Sequence, residues 1–185
     1  LKRGGVDDNT LVIFTADHGF SLGHHGFWGH GQATWPSNMF RVAYNIPLIV
    51  RAPKVIQAGQ TSSRLVGSMD LFATILDYLG LDGETDMAGV PARSFAPELA
   101  GEVFDWDDVV FLEQEESRAI RTLDWLFVKG FKGSGAYPLE DELYDLKTDA
   151  DERRNLAGDG AHAVIEAELA ARLDAYFDNY ADPRF

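Results

Sequence analysis

Short continuous apolar runs dominate the first hundred residues. The runs at 11–15 (LVIFT) and 45–51 (NIPLIVR) are rich in β-branched residues and end in polar or proline-containing segments. Such runs are typical of strands buried on both faces of a parallel sheet that is covered by helices. Residues 16–38, between the two runs, show no clean period and are rich in Gly, His and aromatic residues, which predicts a long loop.

A helical period follows the second run. Residues 68–79 (SMDLFATILDYL) carry apolar side chains at helical spacing. Ser68 or Asp70 is of the type that caps a helix at its start, and Gly80 is of the type that ends one. The pattern predicts an amphipathic helix over 68–79.

The pattern changes after residue 100. Short apolar segments separated by turn residues predict an antiparallel meander over 108–115, 117–122, 125–131 and 142–145. Apolar residues at helical spacing then predict a closing helix over 161–180. We therefore expect two domains: 1–100 as the end of an α/β domain, and 101–185 as a small α+β subdomain with an antiparallel sheet and a helix.

Composition limits the classes of partner and site that the chain can have. The 185 residues carry a formal net charge of -14, which argues against nucleic acid and anionic membrane surfaces. No cysteine is present, so no disulfide or thiolate site can form, and no apolar run of about 18 residues predicts a membrane segment. Residues 1–5 (LKRGG) have the pattern of a last helical turn ended by glycine, so we expect the chain to be part of a longer protein.

Four of the five histidines lie in residues 15–31 (TADHGFSLGHHGFWGHG). Asp17 and His18 come just after an apolar strand, where ligands bind in open α/β sheets. A carboxylate and a neutral imidazole are a usable ligand pair for a divalent cation if Gly19 lets the chain turn. Two ligands do not complete a metal site, and a solvated, hydrogen-bonded loop is the alternative interpretation of this pair.

Six segments resemble, in order, those of the sulfatases in the alkaline-phosphatase-like superfamily. NTLVIFTADHG is similar to the family's NTLVIFTSDHG, and LGHHGFWGHG is similar to its LGDHGLWGKG. NIPLIVRAP, GSMDLFATILDYLGL and PARSFAPELAG match further family elements, and ELYDLKTDADERRNLA matches the family's ELYDLxxDPxExxNLA signature. The resemblance implies an alkaline-phosphatase/sulfatase-like α/β fold, of which this chain is the C-terminal part.

The resemblance also implies roles for single residues. Asp17 and His18 fall on positions that bind a divalent cation, with calcium favoured and manganese or magnesium as alternatives. His25 falls on the family histidine and would be a second donor or the leaving-group acid, although a loop histidine bonded to backbone fits it equally. His30 stands where the family has a lysine. An imidazole is only partly cationic at neutral pH, so histidine in place of lysine indicates a different substrate, an activity that is higher at acidic pH, or reduced activity. Arg41 is a further cationic candidate, for which a surface salt bridge is the simpler account.

The nucleophile of the family lies in a C/S-x-P-x-R stretch, in which Cys or Ser becomes formylglycine. These residues contain no such stretch. We therefore expect the C-terminal part of a sulfuric ester hydrolase, inactive alone, acting on a sulfate or phosphonate ester. The alternatives are a phosphonate monoester or phosphodiester hydrolase of the same superfamily, and a non-catalytic module that binds a metal or a partner. Strands that lack their neighbours would also promote self-association near residues 1–50.

Overall fold

A computed structural model describes residues 1–34, 37–114, 117–130 and 140–180. The strands are β1 (Val12–Thr15), β2 (Ser21–Leu22), β3 (Trp28–Gly29), β4 (Leu48–Arg51), β5 (Val109–Gln114), β6 (Ser117–Thr122), β7 (Trp125–Gly130) and β8 (Glu142–Asp145). The α-helices are α1 (Arg41–Tyr44), α2 (Asp70–Tyr78), α3 (Ala96–Leu99) and α4 (Ala163–Tyr180). None of the helices in these described ranges is long and apolar enough to span a membrane.

The chain forms two compact units, each built from two stretches of sequence. The first unit is Leu1–Asp17 with Ile46–Asp107, and the second is His18–Asn45 with Asp108–Phe185. The histidine-rich segment thus belongs to the same unit as the C-terminal sheet. The expected domain boundary after residue 100 stays a prediction.

In the first unit, β1 and β4 form an antiparallel ribbon with Val12 opposite Arg51 and Thr15 opposite Leu48. The two strands were expected to be parallel and buried on both faces, and for the described chain this is wrong. Phe14 and Ile49 are 60% and 61% exposed. A continuous apolar run does not specify the direction of its partner, and a two-stranded ribbon has few neighbours to cover its faces.

Helix α2 confirms the predicted helix and its end. Gly80 adopts a left-handed conformation with φ 68°, and the N–H groups of Gly80 and Leu81 donate to the carbonyls of Asp77 and Leu76. The predicted cap is wrong, because Met69 occupies that position and makes no side-chain cap. The buried Asp70 carboxylate instead accepts the N–H groups of Gly67 and Arg93, both at 2.8 Å.

In the second unit, β5, β6, β7 and β8 form an antiparallel meander in sequential order, as predicted. The predicted strand ends at residues 115 and 131 lie outside the described residues. The closing helix is confirmed as α4, which packs on β6 and β7. One face of the sheet and α4 share a core that contains the fully buried side chains of Ile120, Phe127, Leu143, Leu169 and Leu173.

The predicted loop at 16–38 contains regular structure in its described part. Strands β2 and β3 pair as a short antiparallel hairpin, with Ser21 opposite Gly29. A 3-10 turn at His24–Gly26 connects them, entered through Gly23 at φ 89°. Two-residue strands are too short to produce a period, so the sequence pattern did not reveal them.

Candidate active site

Asp17 lies two residues beyond the end of β1, and the side chains of Asp17 and His18 are both exposed. The Nδ1 atom of His18 is 2.8 Å from the carbonyl oxygen of Gly19. A carbonyl can only accept a hydrogen bond, so Nδ1 carries the proton and donates it. In the neutral imidazole the other ring nitrogen, Nε2, then bears the lone pair. This is the tautomer that a metal-binding histidine needs, with a backbone carbonyl as its orienting partner.

Position 19 has no room for a side chain, so glycine is required there. The N–H of Gly19 donates to the carbonyl of Ala43 at 3.0 Å, and a Cβ at this position would overlap the carbonyl oxygen of Val42. The sequence argument assigned to Gly19 the freedom to turn. The structure gives another reason, which is that the backbone of α1 approaches too closely for any side chain.

His30 lies against His18. The two ring centroids are 4.5 Å apart with a tilt of 34°, and His30 is half-buried. The structure therefore brings together the expected metal ligand and the residue that stands in the lysine position of the family. Its role as a donor to the substrate stays a prediction.

His25 has a different set of contacts. Its ring stacks on Phe40 with 3.7 Å between centroids and 4° between planes, and its backbone is left-handed at φ 52°. It lines a cavity of about 540 Å³ together with His24, Arg41 and Arg153. Burial lowers the pKa of His25, and the positive charge of Arg153 lowers it further.

Sequence reasoning missed the role of Glu152. This residue is 2% exposed, and its Oε2 accepts the backbone N–H of Arg41 at 2.7 Å, where α1 begins. Its Oε1 lies 3.5 Å from Nη1 of Arg121, which also donates to the hydroxyl of Tyr44 at 3.2 Å. Burial raises the pKa of Glu152, and it raises the pKa of Tyr44 to about 12. Glu152 thus holds the segment that carries the histidines to the C-terminal sheet.

Asn155 lies in the matched signature ELYDLKTDADERRNLA and forms hydrogen bonds to the backbone near β8. Its Oδ1 accepts the N–H of Leu143 in β8, and its Nδ2 donates to the carbonyl of Asp141, both at 3.0 Å. The N–H of Leu156 donates to the carbonyl of Leu143 at 2.8 Å. The signature therefore clamps the turn after β8 onto the sheet. Its match in the sequence was visible, whereas the structural use of each side chain was not.

A divalent cation needs several donor side chains grouped around one point. Across the described ranges, no three His, Asp or Glu side chains are grouped so that they could hold a metal ion. Asp17 supplies a carboxylate, and His18 supplies an imidazole whose Nδ1 is already hydrogen-bonded. Their role as two ligands of a larger set stays a prediction.

Comparisons with known proteins support the site's assignment to a family. Residues 1–81, which include Asp17 and His18, match the sulfatase family model. Nearly the whole chain, 98%, aligns at 29% identity with the N-acetylglucosamine-6-O-sulfatase of Bacteroides thetaiotaomicron and covers 32% of that protein. These matches show a sulfatase family-model domain at residues 1–81 and similarity to sulfatases along nearly the whole chain. The chain spans about a third of the length of the curated relatives it matches and corresponds to their C-terminal part.

Solved structures confirm the fold of this segment. A structure in complex with its substrate D-glucosamine-2-N,6-O-disulfate superposes with a TM-score of 0.83 at 29% identity, over 99% of this chain and 37% of that one. The phosphonate monoester hydrolase of Silicibacter pomeroyi superposes with a TM-score of 0.81 at 29% identity, also over 99% of this chain and 37% of that one. The alkaline-phosphatase/sulfatase-like fold is thereby confirmed.

Proposed function

We propose that this chain is the metal-loop part of an enzyme that hydrolyses sulfate esters. Asp17 and His18 would be two ligands of a divalent cation, for which calcium is favoured and manganese or magnesium are alternatives. The observation that carries the proposal is the hydrogen bond from His18 Nδ1 to the carbonyl of Gly19, inside a segment that matches the sulfatase family. It sets the tautomer in which Nε2 can bind a cation.

The chain's own residues have separate tasks in this proposal. The bound cation would supply positive charge to polarise the sulfuryl oxygens. Asp17 and His18 would hold it, and Gly19 ties the loop at His18 to α1 by the hydrogen bond to Ala43. His30 lies against His18 and, when protonated, would donate to an oxygen of the ester as negative charge develops.

The nucleophile must come from outside these residues. The family's formylglycine arises from a Cys or Ser in a C/S-x-P-x-R stretch, which this sequence does not contain. We therefore infer that the 185 residues alone do not hydrolyse sulfate esters. Both Asp17 and His18 remain necessary in the enzyme that includes the nucleophile.

The test measures hydrolysis of 4-nitrophenyl sulfate by the chain and by the complete product, which is the protein encoded by the whole reading frame that contains the chain. We expect hydrolysis by the complete product only, its loss on chelation with EDTA, and its return with a divalent cation. His18→Ala should lower kcat/KM by at least about 100-fold, whereas the control His162→Ala, remote in sequence on the C-terminal turn, should not. Full activity of His18→Ala would refute the proposed ligand.

A phosphonate monoester hydrolase is the second candidate. Two solved enzymes of this type superpose on the chain at 29% and 27% identity. The ratio of kcat/KM on 4-nitrophenyl sulfate to that on a phenylphosphonate monoester separates the two functions. A ratio below one would favour the phosphonate enzyme.

A further inference from the structure

The second unit contains a cavity of about 540 Å³ that the proposed cation ligands Asp17 and His18 do not line. Its wall is built from residues 19–25, from α1, and from the turn that follows β8. The charged and titratable side chains that line it are His24, His25, Arg41, Asp151, Glu152 and Arg153. Gly19, the neighbour of His18 in the chain, also lines it, so the cavity begins one residue from the proposed metal ligand.

The cavity is lined by two guanidinium groups and two carboxylates. Glu152 turns inward, because its two carboxylate oxygens face the Arg41 N–H and Arg121 and only 2% of the residue is exposed. Asp151 lies 3.3 Å from Nε of Arg153, and both side chains are 73% exposed. Arg41 adds a second guanidinium, and the imidazoles of His24 and His25 add polar ring nitrogens to the wall.

The histidine in the wall is held in a fixed orientation. His25 stacks on Phe40 and adopts φ 52°, a backbone conformation that a non-glycine residue rarely takes. Such strain is found most often at binding and catalytic positions. The backbone of Arg41 is fixed by its hydrogen bond to Glu152. The ring of His25 and the backbone of Arg41 are therefore held in place at the cavity wall.

We propose that this cavity binds an oxyanion, sulfate or carboxylate, through Arg41 and Arg153 with His24 and His25. Guanidinium groups suit this ligand because their N–H donors match the geometry of paired oxygens. The substrate-bound source rests on the proposed function: the oxyanion would be a second acidic substituent on the ester that the enzyme hydrolyses. The other source is free inorganic sulfate, which is the released product.

The test is NMR of the imidazole of His25 in the 185-residue chain, titrated with sodium sulfate and, at equal ionic strength, with sodium chloride. We expect a saturable shift with sulfate only. Arg41→Gln and Arg153→Gln should each weaken binding about tenfold, as expected for loss of a charge-assisted hydrogen bond. The control Arg154→Gln removes the same charge next to the cavity and should change binding less than twofold.

Equal shifts with chloride, or equal weakening by Arg154→Gln, would overturn the oxyanion site. Titration with a monosulfated and a disulfated glucosamine separates the two sources. Tighter binding of the disulfated sugar, lost in Arg153→Gln, assigns the cavity to a substrate substituent, and equal affinity for inorganic sulfate assigns it to the free anion. His18→Ala should lower kcat/KM of the complete product and leave the His25 titration of the 185-residue chain unchanged, so failure of the proposed function is distinguishable from failure of this site.

Discussion

The two compact units differ in how they bury their apolar residues. In the second unit, Ile120 and Leu143 are 0% exposed, and α4 supplies Leu169 and Leu173 to the same core. In the first unit, the ribbon of β1 and β4 leaves Phe14 and Ile49 more than half exposed. The strands of the first unit, VIFT and LIVR, are as apolar as any in the described chain, so their exposure reflects the few neighbours that they have.

The difference shows how much of its own apolar surface each unit covers within these residues. A four-stranded sheet with a covering helix can bury a full apolar face, whereas a two-stranded ribbon cannot. The histidines of the candidate site, His18, His24, His25 and His30, all belong to the second unit. Their geometry therefore depends on a core that the chain itself provides.

Truncation of a core aromatic residue tests this comparison with the largest expected effect. Phe127→Ala should lower the free energy of unfolding by about 3–5 kcal/mol, because Phe127 is 1% exposed and a cavity would remain. Phe14→Ala, at 60% exposure, should cost less than about 1 kcal/mol. Urea denaturation followed by circular dichroism measures both, and equal costs would contradict the comparison.

The close approach at Gly19 tests whether the histidine segment is fixed to α1. Gly19→Ala should cost about 2–3 kcal/mol, because the new methyl group meets the backbone carbonyl of Val42 and the backbone must move. Gly160→Ala is the matched control, since a Cβ there meets no atom within 4 Å. Thermal unfolding of the two variants gives the comparison, and a neutral Gly19→Ala would mean that the segment moves freely.

Glu152 tests the connection between α1 and the turn after β8. Glu152→Ala should cost about 1–3 kcal/mol, because the N–H of Arg41 and the guanidinium of Arg121 lose their acceptor. The neighbouring Asp151→Ala removes an exposed carboxylate and should cost less than about 0.5 kcal/mol. Hydrogen exchange at residues 41–45 locates the effect, and loss of protection confined to other segments would speak against this connection.

The smallest expected effect on stability comes from the half-buried carboxyl group of Glu142 in β8. Burial raises the pKa of Glu142, although the hydroxyl of Tyr144 donates to it at 2.9 Å. A raised pKa in the folded state contributes stability below the ordinary value near 4.5, and this contribution is lost as the pH rises through the folded-state pKa. The stability of Glu142→Gln relative to the parent chain should therefore increase from pH 4 to pH 7. The exposed Glu168→Gln should show no such trend, and a trend of opposite sign would exclude the buried charge as its cause.

Much of the second unit was predictable because its turn residues separate the strand segments and its last helix shows a helical period. The meander and α4 each show a clear pattern over several residues, and in the first unit Gly80 marks the end of α2. The direction of β1 against β4 was not predictable, since apolarity carries no information on pairing direction. Nor was the separation of His25 from the pair formed by His18 and His30, which depends on contacts with Phe40 and with residues far along the chain.

The hydrogen bond of His18 to Gly19 has a consequence for how the site responds to mutation. The acceptor is a main-chain oxygen of the next residue, so no side-chain substitution can remove it directly. A scan of alanine variants would test the proposed ligands and miss the backbone atom to which His18 Nδ1 is hydrogen-bonded. The tautomer of His18 thus depends on the backbone conformation at Gly19. It is retained as long as Gly19 stays packed against α1.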